Sequence, residues 1–169
     1  MSALAREVVA DLIRLRLTIA VAESLTGGLL VADLISVPGA SAVVRGGIVA
    51  YDTALKNSLL GVDAALLAEH GAVHPEVAAQ MARGVRDRLA VDGVPASIGI
   101  STTGVAGPDP QDGQPVGTVF VGIAVGDDTS ILSLALEGSR SAIRRTVVSE
   151  SLEQLRAILA RERPAVAGT

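Results

Sequence analysis

The chain has 169 residues, enough for one domain with a substantial core. Almost half are hydrophobic, yet Tyr51 and Phe120 are the whole aromatic complement, so the core must be Ala, Val, Leu and Ile. The net charge is −4, no basic block appears and there is no Cys; this argues against a nucleic-acid surface and excludes disulfides, thiolate metal sites and a Cys nucleophile.

Two histidines, His70 and His74, leave little room for zinc, so neither a metal nor a cofactor is expected. Residues 1–7 lack a signal-peptide pattern, and no apolar run approaches the roughly 18–20 residues of a membrane span. The expectation is a cytoplasmic protein with no membrane partner.

Residues 3–16 space Leu4, Val8, Val9, Leu12 and Ile13 as a helix. A strand at 18–23 runs into a helix at 26–36, closed by Val37-Pro38-Gly39. Residues 44–51 read as a second strand and 52–61 as a loop or short helix. Pro75 opens a helix over 75–91, with Val77, Ala78, Met81, Val85 and Leu89 on one face. A third strand at 97–102 leads into Thr103-Gly104-Val105-Ala106-Gly107-Pro108, and 109–115 is a polar loop without helix or strand character. Runs at 116–125 and 129–137, joined by Gly126-Asp127-Asp128, predict a hairpin. A last helix spans 139–161. Interleaved helices and strands predict an α/β three-layer sandwich with a mixed sheet, a single domain over 1–163 and a flexible tail at 164–169.

Three features are candidates for chemistry. Ser24 and Thr26-Gly27-Gly28 stand where a strand meets a helix, where free N–H groups and the helix dipole suit a phosphate or carboxylate. A plain N-cap explains the same letters. Thr103-Gly104 and Ala106-Gly107 repeat the pattern at a second strand end, where open α/β sheets bind ligands. The third feature is Lys56, the one lysine against thirteen arginines. Arg serves a solvated surface equally well, whereas a proton acceptor must first lose its own proton, which guanidinium does not do in proteins and a desolvated ammonium can. A lysine retained by chance is the competing reading. Lys56 also lies five residues after the sole tyrosine, Tyr51, which a half-buried strand position explains equally well.

Assembled, these residues describe a serine–lysine hydrolase in which Ser24 attacks, neutral Lys56 takes its proton, and Tyr51 orients Lys56 or relays the proton. Amides near Gly27-Gly28 or Gly104 would form the oxyanion hole. Arg140 and Arg144 offer guanidinium forks for a phosphate, against the alternative of solvated helix residues. His74, beside Pro75, reads as a capping or surface residue rather than a catalyst.

The segments AESLTGG (22–28), VPGASAVVRGGIVAYDTALKNSLLGV (37–62), HGAVHPEVA (70–78), TGVAGPD (103–109), PVGTVFVGIA (115–124) and GSRSAIRRT (138–146) resemble the CinA C-terminal domain family. The resemblance runs from about residue 5 to residue 160, in order. Catalytic members of that family are nicotinamide-nucleotide amidohydrolases. The resemblance therefore implies a three-layer α/β fold and hydrolysis of the carboxamide of nicotinamide mononucleotide (NMN) to nicotinate mononucleotide and ammonia, within NAD salvage. It implies Ser24 as nucleophile with Lys56 and Tyr51 in support, and no metal. It places substrate contacts on Thr26, Gly27, Gly28, Arg45, Thr103, Gly104, Ala106, Gly107, Arg140 and Arg144.

Three positions depart from the family pattern: Leu25 where Cys is frequent, His74 where Ser is common, and Ser139 within the usual GDR signature. The alternative is a non-catalytic nucleotide-binding or regulatory module built from the same loops. A homodimer or higher homo-oligomer is expected, with the strands of 116–137 either at its interface or buried in the core.

Overall fold

The computed structural model describes residues 1–161; the expected tail at 164–169 lies outside the described residues. The elements are α1 (Ala3–Leu15), β1 (Ile19–Glu23), α2 (Leu29–Ile35), β2 (Val44–Val49), α3 (Thr53–Leu60), α4 (Ala64–His70), α5 (Pro75–Arg88), β3 (Ile98–Gly104), β4 (Thr118–Val125), β5 (Asp128–Ala135) and α6 (Arg140–Arg161). The sheet has the order β2-β1-β3-β4-β5. The first three strands are parallel, and β4 and β5 join antiparallel. This is the mixed-sheet α/β fold anticipated above.

Alternation along the strands sorts the core into two layers. Ile19 and Val21 of β1, with Ile98 and Ile100 of β3, face α1, α2 and α6. Ala20 and Ala22 face α5, together with Leu60, Val62, Val77, Met81 and Val85. The α5 side is built for close approach. A Cβ on Gly99 would come within 1.9 Å of the Ala82 carbonyl oxygen, and one on Gly122 within 2.4 Å of the Ala78 carbonyl oxygen. Helix backbone thus rests almost directly on the sheet, which aliphatic residues fill without aromatics.

Three details differ from the sequence expectation. The helix expected from residue 26 begins at Leu29; Gly27 and Gly28 both have positive φ and form a turn before it. Helix α4 was not anticipated, because none of its residues is fully buried and its apolar face is weak. The segment 109–115 contains a small antiparallel bridge, Gln111 to Gln114, rather than only irregular loop. Among the described residues, no helix is long and apolar enough to cross a membrane.

Candidate active site

The site forms at the carboxyl ends of β1 and β3. Glu23, the last residue of β1, is completely buried. Its carboxylate accepts the amides of Gly28 (2.9 Å), Leu30 (3.1 Å) and Val31 (2.8 Å). The anion site at the helix start is therefore already filled by the chain's own carboxylate, contrary to a ligand phosphate there, and neither Ser24 nor Thr26 is the cap. Thr26 instead pairs its hydroxyl with Thr102 at 2.7 Å, and the Ser24 amide donates to the Thr102 carbonyl at 2.9 Å. Ser24 is thus held between two strand ends.

Lys56 arrives from α3, whose N-cap Asp52 receives the Ala54 amide. It is among the largest fully buried side chains, 1% exposed. Its Nζ lies 3.1 Å from Ser24 Oγ, 2.8 Å from the Ala50 carbonyl oxygen and 3.4 Å from the Tyr51 carbonyl oxygen. Burial holds its pKa at about 8 against an ordinary 10.5, while the nearby Asp52 and Asp112 carboxylates act in the opposite direction. The geometry suits either protonation state. An ammonium has three N–H donors for three acceptors. A neutral amine keeps two N–H donors for the two carbonyls and turns its lone pair to the Ser24 hydroxyl.

A cavity of about 160 Å³ opens beside Ser24, lined by Leu25, Ala72, Val73, Thr103 and the loop after β3 through Gln111. Tyr51 and Arg140 stand at its mouth. The Tyr51 hydroxyl accepts from Arg140 Nη2 at 2.9 Å, and Arg140 Nη1 donates to the Gly107 carbonyl at 2.6 Å. Tyr51 therefore reaches Lys56 through its main-chain carbonyl, whereas its side chain points to Arg140. Leu25, Ala106 and Gly107 are among the lining residues, and their amides meet no acceptor among the described residues.

The structure gathers Ser24, Tyr51, Thr103, Gly104, Ala106, Gly107 and Arg140 around this cavity, with Lys56 behind Ser24. Thr26, Gly27, Gly28 and Arg144 stand outside its lining. Arg144 donates to the carbonyls of Leu25 (2.8 Å) and Thr26 (2.9 Å), so it braces the loop that carries Ser24. Arg45 sits near the start of β2, where Val44 pairs with Ile19, four residues before the Val49–Glu23 pair. At about 3.3 Å per residue that is roughly 13 Å from the site end of the strand. His74 caps α5 through Nδ1, which accepts the Glu76 amide, and stacks on His70. Glu23, Asp109, Gln111 and Asp112 escaped the sequence reading. Only the hydroxyl-and-glycine pattern around them signalled a site.

A larger groove between α3 and α5, lined by Gly61, Gln80, Arg83 and Arg88, holds no serine; Arg83 is paired with Glu76 at 2.7 Å and Arg88 donates to the Leu59 carbonyl at 2.6 Å. Among the described residues, no group of three or more His, Cys, Asp or Glu is placed to hold a metal ion.

Relatives share this architecture. A protein from Agrobacterium tumefaciens described as competence/damage inducible protein CihA superposes with a TM-score of 0.85 at 34% identity, covering 92% of this chain and 93% of that one. A CinA superfamily protein from Klebsiella pneumoniae superposes with a TM-score of 0.86 at 30% identity, over 94% and 96% of the two chains. In sequence, a CinA-like protein of Frankia casuarinae is 53% identical over 85% of this chain and 32% of its own length. A putative competence-damage inducible protein of a Geobacillus strain is 51% identical over 75% of this chain and 30% of its own. The chain thus spans about a third of the length of these curated relatives. The CinA C-terminal domain profile matches residues 1–159, and the chain belongs to that family.

Proposed function

We propose that the protein is a serine–lysine amidohydrolase acting on the carboxamide of NMN. The observation that carries this reading is the contact between Ser24 Oγ and a fully buried Lys56 Nζ, 3.1 Å apart, with the lysine pKa lowered to about 8. A base poised near neutral pH beside a hydroxyl is the arrangement an activated nucleophile needs.

In the proposed reaction neutral Lys56 takes the Ser24 proton as Oγ attacks the carboxamide carbon. The oxyanion is received by amides of the cavity wall, with Leu25, Ala106 and Gly107 supplying the unengaged donors. Protonated Lys56 then passes the proton to the departing nitrogen, which leaves as ammonia, and an ester remains on Ser24. Water attacks this ester with Lys56 again as base, releasing nicotinate mononucleotide and restoring the Ser24 hydroxyl. The carbonyls of Ala50 and Tyr51 keep Lys56 aimed throughout.

At about 160 Å³ the cavity is smaller than the roughly 300–1,000 Å³ that encloses a whole drug-sized ligand. It accommodates the carboxamide end, leaving the phosphate at the mouth beside Arg140. The same proposal covers a role in NAD salvage, a cytoplasmic setting and assembly as a homodimer or higher homo-oligomer.

The test is purified protein with NMN, following ammonia and nicotinate mononucleotide together. Both should appear in equal amounts, and Ser24→Ala and Lys56→Arg should each abolish them with the fold intact. Full activity in Lys56→Arg removes Lys56 as the base. Binding of NMN without turnover replaces the hydrolase with a nucleotide-binding module.

A further inference from the structure

We propose that Asp112 is a positioning residue: it fastens the loop between β3 and β4 to the turn between α4 and α5, and so closes the outer wall of the Ser24–Lys56 cavity. The cavity has two outer contributors, Ala72 and Val73 from the α4–α5 turn and Asp109 and Gln111 from the β3–β4 loop. The sheet reaches the turn from the floor, through the Thr103 hydroxyl of β3 on the Ala72 carbonyl, but this contact does not hold the outer part of the loop.

Asp112 supplies that connection. Gln111 and Gln114 exchange backbone hydrogen bonds of 3.1 and 2.8 Å around Asp112-Gly113. Both central residues have positive φ, +50° and +74°, the requirement of a tight type I′ turn. The turn presents the Asp112 carboxylate, whose Oδ2 accepts the Ala72 amide at 3.0 Å. Ala72 is then held at both ends of its residue, because its carbonyl accepts the Thr103 hydroxyl at 2.7 Å from the floor of the cavity. Gly71 completes the fit. A Cβ there would lie 2.5 Å from Asp112 Cβ, and Gly71 itself has a φ of +73°.

Asp112 has a second effect on the same site. The carboxylates acting on Lys56 are Asp52, at the head of its own helix, and Asp112, from the opposite loop. Asp112 is solvent-exposed, so water screens its charge and the effect on Lys56 is small. Fastening and charge can therefore be separated by substitution.

The kinetic arm of the test rests on the hydrolase reading, whereas the structural arm does not. Amide exchange at Ala72, read by NMR, should be at least about tenfold faster in Asp112→Ala, the equivalent of one lost hydrogen bond, and near wild type in Asp112→Asn, which keeps an acceptor. With NMN, Asp112→Ala should raise KM about tenfold with kcat within about twofold. Asp112→Asn should keep KM but move the acid limb of kcat/KM to lower pH by about 0.3 unit, the influence of one screened charge. Gly71→Ala should raise KM as Asp112→Ala does, without moving the pH profile. Unchanged Ala72 exchange in Asp112→Ala overturns the fastening. Faster exchange with unchanged KM overturns the role in closing the cavity. Absence of turnover in the wild type refutes the hydrolase reading instead, and Ala72 exchange with the Lys56 titration then decides the role of Asp112.

Discussion

Replacing Lys56 with Met tests the energetic state of the site directly. In the folded chain Lys56 titrates at about 8, and in the unfolded chain near its ordinary 10.5. Below pH 8 both states bind the proton, and the native state carries the full penalty of a buried ammonium. Between 8 and 10.5 the unfolded state binds more protons, so stability rises with pH; above 10.5 both are neutral and the penalty is gone. At about 1.4 kcal/mol per pH unit the interval amounts to about 3 kcal/mol, or about 6–12 °C in Tm for a domain of this size. Met keeps the length of the side chain without the charge. It leaves the carbonyls of Ala50 and Tyr51 without their donor, an offset independent of pH. Thermal unfolding of both proteins from pH 7 to 11 isolates Lys56, because every other group is common to the two. The stability of wild type relative to Lys56→Met should climb by about 3 kcal/mol across the window. A flat difference curve would refute the reasoning that Lys56 is desolvated. In the same window, wild-type kcat/KM should rise through an apparent pKa of about 8.

Glu23→Ala should destabilise the fold by about 3 kcal/mol, since the buried Leu30 amide and the partly buried Gly28 and Val31 amides lose their acceptor, with Glu23→Gln recovering part of it; urea midpoints measure both. Ser151→Ala should be neutral or stabilising by about 1 kcal/mol, because the buried hydroxyl on α6 has no partner among the described residues, and the same denaturation assay reads it. Tyr51→Phe should preserve kcat and its pH profile while raising KM a few-fold, because the hydroxyl is engaged by Arg140 and not by Lys56. A large fall in kcat would restore the tyrosine to a proton relay.

The elements that bury a regular apolar face were legible in the sequence: α1 carries its period in Val and Leu, α5 in Val, Ala and Met, and β1 and β3 place Ile19, Val21, Ile98 and Ile100 in the core. Lys56 was legible for a different reason, since an arginine-rich chain makes one lysine conspicuous. Helix α4 was not, because Ala64–His70 packs only Leu66 and Leu67 against the core. Nor was Glu23. A carboxylate reaching forward five to eight residues to meet amides depends on the two left-handed glycines that turn the chain back, and spacing does not display that turn. The polar segment near 112 hid its turn chemistry similarly; Asp-Gly is a strong hairpin signal, but no apolar strands flank it here.

Two of the three partners of Lys56 are main-chain oxygens. Their chemistry does not depend on which side chains occupy positions 50 and 51, so point substitutions there leave the acceptors in place. The aim of the lysine is thereby independent of side-chain identity at 50 and 51, while its basicity follows from its burial and from the Asp52 and Asp112 carboxylates. This architecture allows the mouth of the cavity to diversify, through residues such as Arg140 and Gln111, while the contact between Ser24 and Lys56 stays the same.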